Sequence, residues 1–463
     1  MAVSKLLSNS TIKLFQVNNA LAVCARSLST SQVRFSERER IEKKFVLPQR
    51  YAGTGESVWN EYAQLAADYK PINLGQGFPD FPPPKYIMQT LSEVSGGENY
   101  MIHQYTRGYG HPRLVSALAK LYTKMLGREI NPNTEVITTT GAYEALFCAI
   151  MGHVDIGDEV ILIEPFFDCC EPIVQYAGGK TRCIPLRMRE VQGRIPTSAD
   201  WVLDKKELEG LFNEKTKVIV LNSPNNPLGK VFTEEEMTHI ADLCKKWNVL
   251  CISDEVYEWL VYKPKKHIRM ASLPGMWDRT ITIGSAGKTF SITGWKTGWA
   301  YSPENLMVNL QMVHQNSTYT GITPIQESIA IAFEKELDRF DSDDCYFKSL
   351  MRELESKRDY LAEILADVGM RPVIPDGGYF ILADWTPLAS KIDLSKEKDQ
   401  YMDFRFTKWM TKNVGLQGIP SSVFFGEKNK AIGENFVRYC FTKRDEVLKE
   451  VSKVLQKWKS QQS

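Results

Sequence analysis

The chain lacks the features that mark several protein classes. Nine cysteines in 463 residues are too few for a disulfide scaffold, and no C-x-x-C pair occurs, which excludes a zinc ribbon. No metal centre is expected. Cys169 and Cys170 stand side by side, and the thiols read as reduced in an intracellular compartment. No apolar run approaches the roughly 18 residues that a membrane helix needs. An excess of one charge is also missing. Lys plus Arg is 57 and Asp plus Glu is 56, a net charge of +1, which gives no electrostatic basis for nucleic acid or an anionic membrane as the main partner. No internal repeat and no low-complexity linker breaks the chain.

One local absence is informative. Residues 1–36 contain no Asp or Glu, carry Lys5, Lys13, Arg26 and Arg34, and include seven Ser. Leu6, Leu7, Leu14, Phe15 and Val17 supply apolar faces. Acid-poor, basic and Ser-rich composition is that of an organellar transit peptide. Residues 1–35 are therefore expected to be removed, with the mature chain starting near residues 28–36. A mitochondrial matrix location is expected, with a cytoplasmic form in addition.

The rest has the composition of a folded protein, 43% hydrophobic and 24% charged, so disorder as the main state is excluded. A single core stops growing at roughly 250–300 residues, so two packed lobes are expected. Short apolar runs at 135–140 (EVITTT), 159–163 (EVILI), 217–222 (KVIVLN), 249–253 (VLCIS) and 280–284 (TITIG) are β-branched and mostly apolar on both faces. That pattern predicts strands of a parallel sheet covered by helices on each side. Helical patterns lie between them. Thr233 and Glu236 have capping-box spacing, followed by Met237, Ile240, Ala241, Cys244 and Trp247 on one face. The alternation argues a doubly wound α/β domain. Beyond about residue 335 the texture becomes α+β: a charged helix with Leu354, Leu361, Ile364 and Leu365 on its apolar face, a strand at 379–383 and another at 436–441. Residues 71–84 hold five prolines and cannot be helix. The expected division is an arm with part of a small domain (36–85), a large domain (86–335) and the small domain (336–463).

Ligands of open α/β sheets sit beyond the carboxyl ends of the strands. After the first run come Gly141, Ala142 and Tyr143, opening a helix whose free N–H groups suit a phosphate. After the third comes Asn226, after the fourth Asp254 and Tyr257, and after the fifth Ser285, Lys288 and Lys296. Singly, each has a bland reading as a turn, a cap or a solvated charge. Together they describe one site. An amine (Lys288) can form a Schiff base with an aldehyde. Ser285, Lys296 and the Gly141 and Ala142 amides can hold a phosphate. A carboxylate (Asp254) can hold a proton on a pyridine nitrogen. Tyr257 and Asn226 can bond a ring oxygen. These are the demands of pyridoxal 5′-phosphate.

Five segments carry a family resemblance: Gly75-Gln76-Gly77-Phe78-Pro79-Asp80, Tyr105-Thr106-Arg107-Gly108-Tyr109-Gly110, Pro224-Asn225-Asn226-Pro227-Leu228-Gly229, Ser253-Asp254-Glu255-Val256-Tyr257 and Gly284-Ser285-Ala286-Gly287-Lys288-Thr289-Phe290. From about Tyr51 to about Trp458 the chain resembles class I/II aminotransferases of pyridoxal-phosphate fold type I. Glu164-Pro165-Phe166-Phe167-Asp168-Cys169, Leu273-Pro274-Gly275-Met276-Trp277 and Val313-His314-Gln315-Asn316 narrow it to the kynurenine aminotransferase, glutamine transaminase K and cysteine-S-conjugate β-lyase group.

The resemblance implies a large, doubly wound, mostly parallel seven-stranded sheet domain and a smaller α+β domain. It implies Lys288 as Schiff-base lysine and proton shuttle, Asp254 on the pyridine nitrogen, Asn226 and Tyr257 on the ring oxygen and Tyr143 stacked on the ring. Ser285, Lys296, Gly141 and Ala142 would hold the phosphate. Tyr105 would reach the phosphate of the other subunit of a homodimer. Arg438 would clamp the substrate carboxylate, helped by Asn226 and the Gly77 amide, and Trp59, Phe167 and Tyr319 would line an aromatic pocket. Glu144 replaces a glycine found in other members and must point away from the phosphate. The implied reaction is ping-pong transfer of an amino group from kynurenine, glutamine, aromatic or sulfur amino acids to a 2-oxo acid, with β-lyase activity on the side. The alternatives are a different neutral donor on the same fold, or a non-catalytic binding protein of that fold. The latter should have lost Lys288 or gained a DNA-binding domain, and the sequence shows neither.

Other classes fail on spacing. Ser285-x-x-Lys288 and Lys296-Thr297-Gly298 imitate a penicillin-binding serine hydrolase, but only seven residues separate the two lysines and no S-D-N occurs. A P-loop at Gly287-Lys288-Thr289 needs glycine where Thr282 stands. A dinucleotide fingerprint at Gly75-x-Gly77 needs glycine where Asp80 stands.

Overall fold

The five apolar runs become five strands of a seven-stranded sheet in the computed structural model, which describes residues 46–52, 55 and 57–461. The acid-free segment lies outside the described residues. The chain divides into a unit up to Thr54 and a unit from Gly55 onward. The described part of the first holds a single 3₁₀ turn, Gln49–Tyr51. Everything below concerns the second.

The strands are β1 (Val136–Thr139), β2 (Glu159–Glu164), β3 (Lys180–Pro185), β4 (Thr216–Asn222), β5 (Leu250–Asp254), β6 (Thr280–Ser285) and β7 (Gly298–Tyr301), in the order β1-β7-β6-β5-β4-β2-β3. Only β7 runs antiparallel to its neighbours. The two-faced apolarity of the runs has a direct cause. Val160, Leu162, Val218, Val220 and Ile252 enter one core, whereas Ile161, Ile163, Ile219, Leu221 and Cys251 enter another. Successive side chains point to opposite faces, so a sheet covered on both sides needs both residues of each pair apolar.

Helix Glu234–Trp247 illustrates local control. The Thr233 hydroxyl accepts from Glu236 N (3.2 Å) and the Glu236 carboxylate accepts from Thr233 N (2.9 Å), the capping box read from the spacing. Asn248 in the left-handed region (φ 53°) ends it. Met237, Ile240, Ala241 and Cys244 are buried as expected.

The later part of the chain forms a second, antiparallel sheet: β8 (Arg371–Val373), β9 (Phe380–Asp384), β10 (Ile419–Pro420) and β11 (Phe436–Cys440), in the order β8-β9-β11-β10. Helix Tyr346–Asp367 buries Leu354, Leu361, Ile364 and Leu365. The proline-rich connector 71–84 contains no helix. Ile72–Asn73 pairs with Leu416–Gln417, and Leu74 O accepts from Cys440 N (2.7 Å). These bonds lead Gly75 and Gly77 past the end of β11. Among the described residues no helix is long and apolar enough to cross a membrane.

Candidate active site

Strand register assembles the site. Gly298, the first residue of β7, pairs with Thr139 at the end of β1 and with Ser285 at the end of β6. Asn222, the last residue of β4, pairs with Asp254, the last of β5. Four carboxyl ends therefore open on one side, where an open α/β sheet binds ligands. A cavity of about 260 Å³ lies there. Ten residues singled out in the sequence line it: Gly141, Ala142, Tyr143, Phe167, Asn226, Asp254, Tyr257, Ser285, Lys288 and Lys296.

One end of the cavity suits a phosphate. Helix Gly141–Met151 starts there, with Gly141 at φ +78° and a Cβ on it only 3.3 Å from Lys296 Nζ. A Cβ on Gly298 would stand 2.4 Å from Ala142 N, so glycine lets β7 approach the helix start. Lys296 forms no ion pair among the described residues. The Glu144 carboxylate turns away, as expected, accepting from Thr140 N and pairing with His314 Nδ1 at 2.8 Å. These hydrogen bonds hold its pKa below the usual value although burial opposes them. His314 Nε2 meets Gly108 O at 2.9 Å. Glu144, Cys148 and His314 form a group of three metal-capable side chains, but both imidazole nitrogens already face protein acceptors.

Other lining residues suit a cationic ring and an aldehyde. Asp254 accepts one hydrogen bond among the described residues, from Val256 N at 3.3 Å, and burial raises its carboxyl to about 6. A carboxylate so placed is stabilised by a protonated ring nitrogen. The Asn222 amide donates to Asp254 O (3.0 Å) and its carbonyl accepts from Asn226 N (2.7 Å), tying two ring-facing residues together. Burial lowers the Lys288 amine to about 8, which brings a useful neutral fraction within reach of physiological pH. Lys288 Nζ donates to Tyr379 Oη at 2.7 Å, and Tyr379 Oη donates to Gly77 O at 3.0 Å. Tyr257 is buried and its phenol is pushed up by burial.

Arg438 has the surroundings of a carboxylate receptor. It is 1% exposed, bonds Asn226 Oδ1 (3.0 Å) and Gly75 O (2.7 Å), and forms no ion pair among the described residues. Its Nε is buried without a partner. Burial lowers the guanidinium to about 10, still cationic at neutral pH. Phe380, Trp59 and Phe424 lie around it at 4.0, 5.1 and 5.1 Å. A buried cation without an acid is costly unless an anionic ligand completes it. Trp59 Nε1 donates to Asp168 Oδ2 (2.8 Å), and Phe167 packs edge-on to Tyr143.

Two predicted residues stand apart. Tyr105 and Tyr319 meet edge to face at 6.0 Å, outside the cavity of this chain, 85% and 58% exposed. Three others were missed: Asn222, Asp168 and Tyr379. Asn222 ends a run already read as a strand, so its place at a strand end was an available signal. Asp168 and Tyr379 reach the site through contacts across 109 and 91 residues that no local pattern reports.

The donor set fits pyridoxal 5′-phosphate: an unpaired Lys296 beside a glycine-opened helix start, a raised carboxyl at Asp254, a depressed amine at Lys288, and an orphaned guanidinium nitrogen where an amino acid's carboxylate would sit. Comparison with known proteins agrees. The family model for aminotransferase class I and II matches residues 69–455. Kynurenine–oxoglutarate transaminase 3 of Homo sapiens is 49% identical over 439 residues, 95% of this chain and 96% of the relative. Kynurenine–oxoglutarate transaminase 1 of Rattus norvegicus is 46% identical over 415 residues, 89% of this chain and 98% of the relative. Among solved structures, N-succinyldiaminopimelate aminotransferase from Mycobacterium tuberculosis superposes with a TM-score of 0.78 at 34% identity, covering 89% of this chain and 99% of that one. Bna3p from Saccharomyces cerevisiae does so with a TM-score of 0.83 at 32% identity, covering 90% and 99%. The chain belongs to the class I and II aminotransferases, enzymes that move amino groups between amino and oxo acids with pyridoxal 5′-phosphate.

Proposed function

We propose that this aminotransferase takes kynurenine as amino donor and a 2-oxo acid as acceptor in a ping-pong cycle. Glutamine, aromatic and sulfur amino acids are further donors, with cysteine-S-conjugate β-lyase activity as a side reaction. The observation that carries the reading is Arg438, a buried cation that forms no ion pair among the described residues and has a wall of Phe380, Trp59 and Phe424. That is a receptor for an α-carboxylate beside an aromatic side chain. The transaminase relatives named for kynurenine support the same donor.

When bound, pyridoxal 5′-phosphate supplies an aldehyde for the substrate amine and a ring that draws electrons from the α-carbon. The chain's residues do the rest. Gly141, Ala142, Ser285 and Lys296 hold the phosphate. Asp254 would hold a proton on the ring nitrogen, Asn226 and Tyr257 would bond the ring oxygen, and Tyr143 would stack on the ring. Arg438 and Asn226, with the Gly77 amide, fix the carboxylate. Lys288 would take the α-proton on Nζ, which burial has made less basic, and return it to the carbon on the other side of the transferred nitrogen.

The exposed pair Tyr105 and Tyr319 supports a homodimer in which each chain completes its partner's site. The two separate sheets support a large domain at 86–335 and a small domain at 336–463 with 36–85. The acid-free N-terminus supports a mitochondrial matrix location. The test is turnover of kynurenine with 2-oxoglutarate, read as formation of the cyclised product kynurenic acid. Absence of that product alongside brisk transamination of another neutral amino acid overturns the kynurenine assignment.

A further inference from the structure

We infer that Tyr379 is a positioning residue whose hydroxyl parks the Lys288 amine whenever that amine is not bonded to the cofactor, and ties it to the backbone of the carboxylate-binding loop. The inference rests on the reading of Lys288 as the cofactor's lysine.

Tyr379 begins the turn into β9 and is 2% exposed. Its hydroxyl bonds Gly77 O and Lys288 Nζ, and the Tyr257 phenol faces it as well. Gly77 O, at 3.0 Å, can only accept, so it takes the phenol hydrogen. That leaves an oxygen lone pair facing Lys288 Nζ at 2.7 Å. The chain of bonds therefore has one direction, from amine to phenol to carbonyl. The ring is pinned as well, edge-on to Tyr257 at 5.1 Å and against Phe380 at 4.8 Å.

The far end of this chain is the substrate loop. Gly75 O accepts from Arg438 Nη2 at 2.7 Å, so the segment 75–77 has one carbonyl on the guanidinium and one on the tyrosine that holds the lysine. The loop cannot drift from either. A Cβ on Gly77 would lie 2.5 Å from Phe380 Cζ, so glycine is what lets it sit this close. A lysine that moves a proton between two carbons flanking one nitrogen must stay near both after it is released. Burial lowers the proton affinity of Lys288, and Cys440, Arg438, Asp254 and Lys296 act on it through charge; the Tyr257 ring lies 5.6 Å away, and Tyr379 is the group that hydrogen-bonds the amine.

The test uses Tyr379→Phe, with Tyr439→Phe as control, because the buried Tyr439 hydroxyl has no hydrogen-bond partner among the described residues. In the cofactor-free protein, competitive acylation at graded pH, read on the Lys288 peptide by mass spectrometry, gives the midpoint of the amine. An oxygen that accepts from the ammonium favours the charged form, so Tyr379→Phe moves the midpoint down by about one unit, a tenfold loss of proton affinity. Tyr439→Phe leaves it in place. In the loaded enzyme, Tyr379→Phe raises the α-deuterium isotope effect on the first half-reaction and slows that step, because proton transfer becomes more limiting. A midpoint and an isotope effect equal to those of the parent overturn the inference and leave Tyr379 as packing. If Tyr379→Phe fails to fold, a ring-fluorinated tyrosine at 379 keeps the shape, weakens the acceptor and moves the midpoint the same way by less. Borohydride fixation of the cofactor separates the two readings: a label on another lysine refutes the role of Lys288, whatever Tyr379 does.

Discussion

Arg438→Lys probes the substrate receptor with the least disturbance. It keeps a buried positive charge and removes the planar fork. In the protein the fork spans Asn226 Oδ1 at 3.0 Å and Gly75 O at 2.7 Å, and its Nε has no partner. A point charge cannot hold both neighbours and a carboxylate at once. A charge-assisted hydrogen bond contributes about 1.5–3 kcal/mol, so losing one lowers kcat/KM roughly 10–150-fold. The loss applies to amino donor and oxo acceptor alike, because each half-reaction presents a carboxylate. The assay is kcat/KM for kynurenine and for 2-oxoglutarate, beside the single-turnover rate of the decarboxylated amine, which is slow but unchanged by the substitution. A drop below about threefold, or an equal drop for the decarboxylated amine, refutes the assignment. Stability gives a second reading. An unpaired buried cation costs folding free energy, so cofactor-free Arg438→Met is at least as stable as the parent in urea. A loss of several kcal/mol would make Arg438 structural.

Other residues give independent checks. Asp254 has a folded pKa of about 6, above its ordinary 3.8, so its ionisation costs stability above that range and nothing below about pH 4. Cofactor-free Asp254→Asn is therefore more stable than the parent at pH 7–8 by up to about 3 kcal/mol, converging with it in acid, as urea titrations at several pH values will show. A parent as stable as the variant at pH 8 contradicts the burial argument. Thr233→Ala removes a helix cap remote from the cavity and costs about 1 kcal/mol in urea denaturation with kcat unchanged. N-terminal sequencing of the protein from isolated mitochondria finds Met1 missing and a start near residues 28–36, whereas an intact Met1 in the cytosol opposes the targeting proposal.

Much of this architecture is legible in the sequence, and the illegible parts have physical reasons. Runs such as 217–222 are readable because a sheet covered on both faces makes the central residues, here Val218–Leu221, apolar, and the ends of this run fall within a residue of the strand found. β3 escapes because Lys180, Thr181 and Arg182 lie on an edge strand and carry no apolar signature. β7 escapes because Gly298, Trp299, Ala300 and Tyr301 include no β-branched residue, although its first residue pairs with the ends of β1 and β6. The cavity residues are readable because they follow strands directly. The meeting of Arg438 with Gly75 spans 363 residues, and the Tyr379 bridge is likewise set by packing between two sheets. A strand register carries no such information until the second sheet is in place. For Trp59 the resemblance implies a place in an aromatic pocket. Its indole hydrogen bond to Asp168 and its place 5.1 Å from the Arg438 guanidinium put it at the receptor's edge.

The central claim is that Lys288 carries pyridoxal 5′-phosphate and uses it on an amino acid. The most direct measurement is the visible absorption spectrum of the purified protein before and after kynurenine, followed by borohydride fixation and peptide mapping. The account predicts a yellow protein whose visible band bleaches on adding the amino acid. It also predicts that borohydride, added before the amino acid, fixes the cofactor to Lys288 and that Lys288→Ala abolishes turnover. A protein that stays colourless after added pyridoxal 5′-phosphate, or a cofactor fixed to any other lysine, contradicts it.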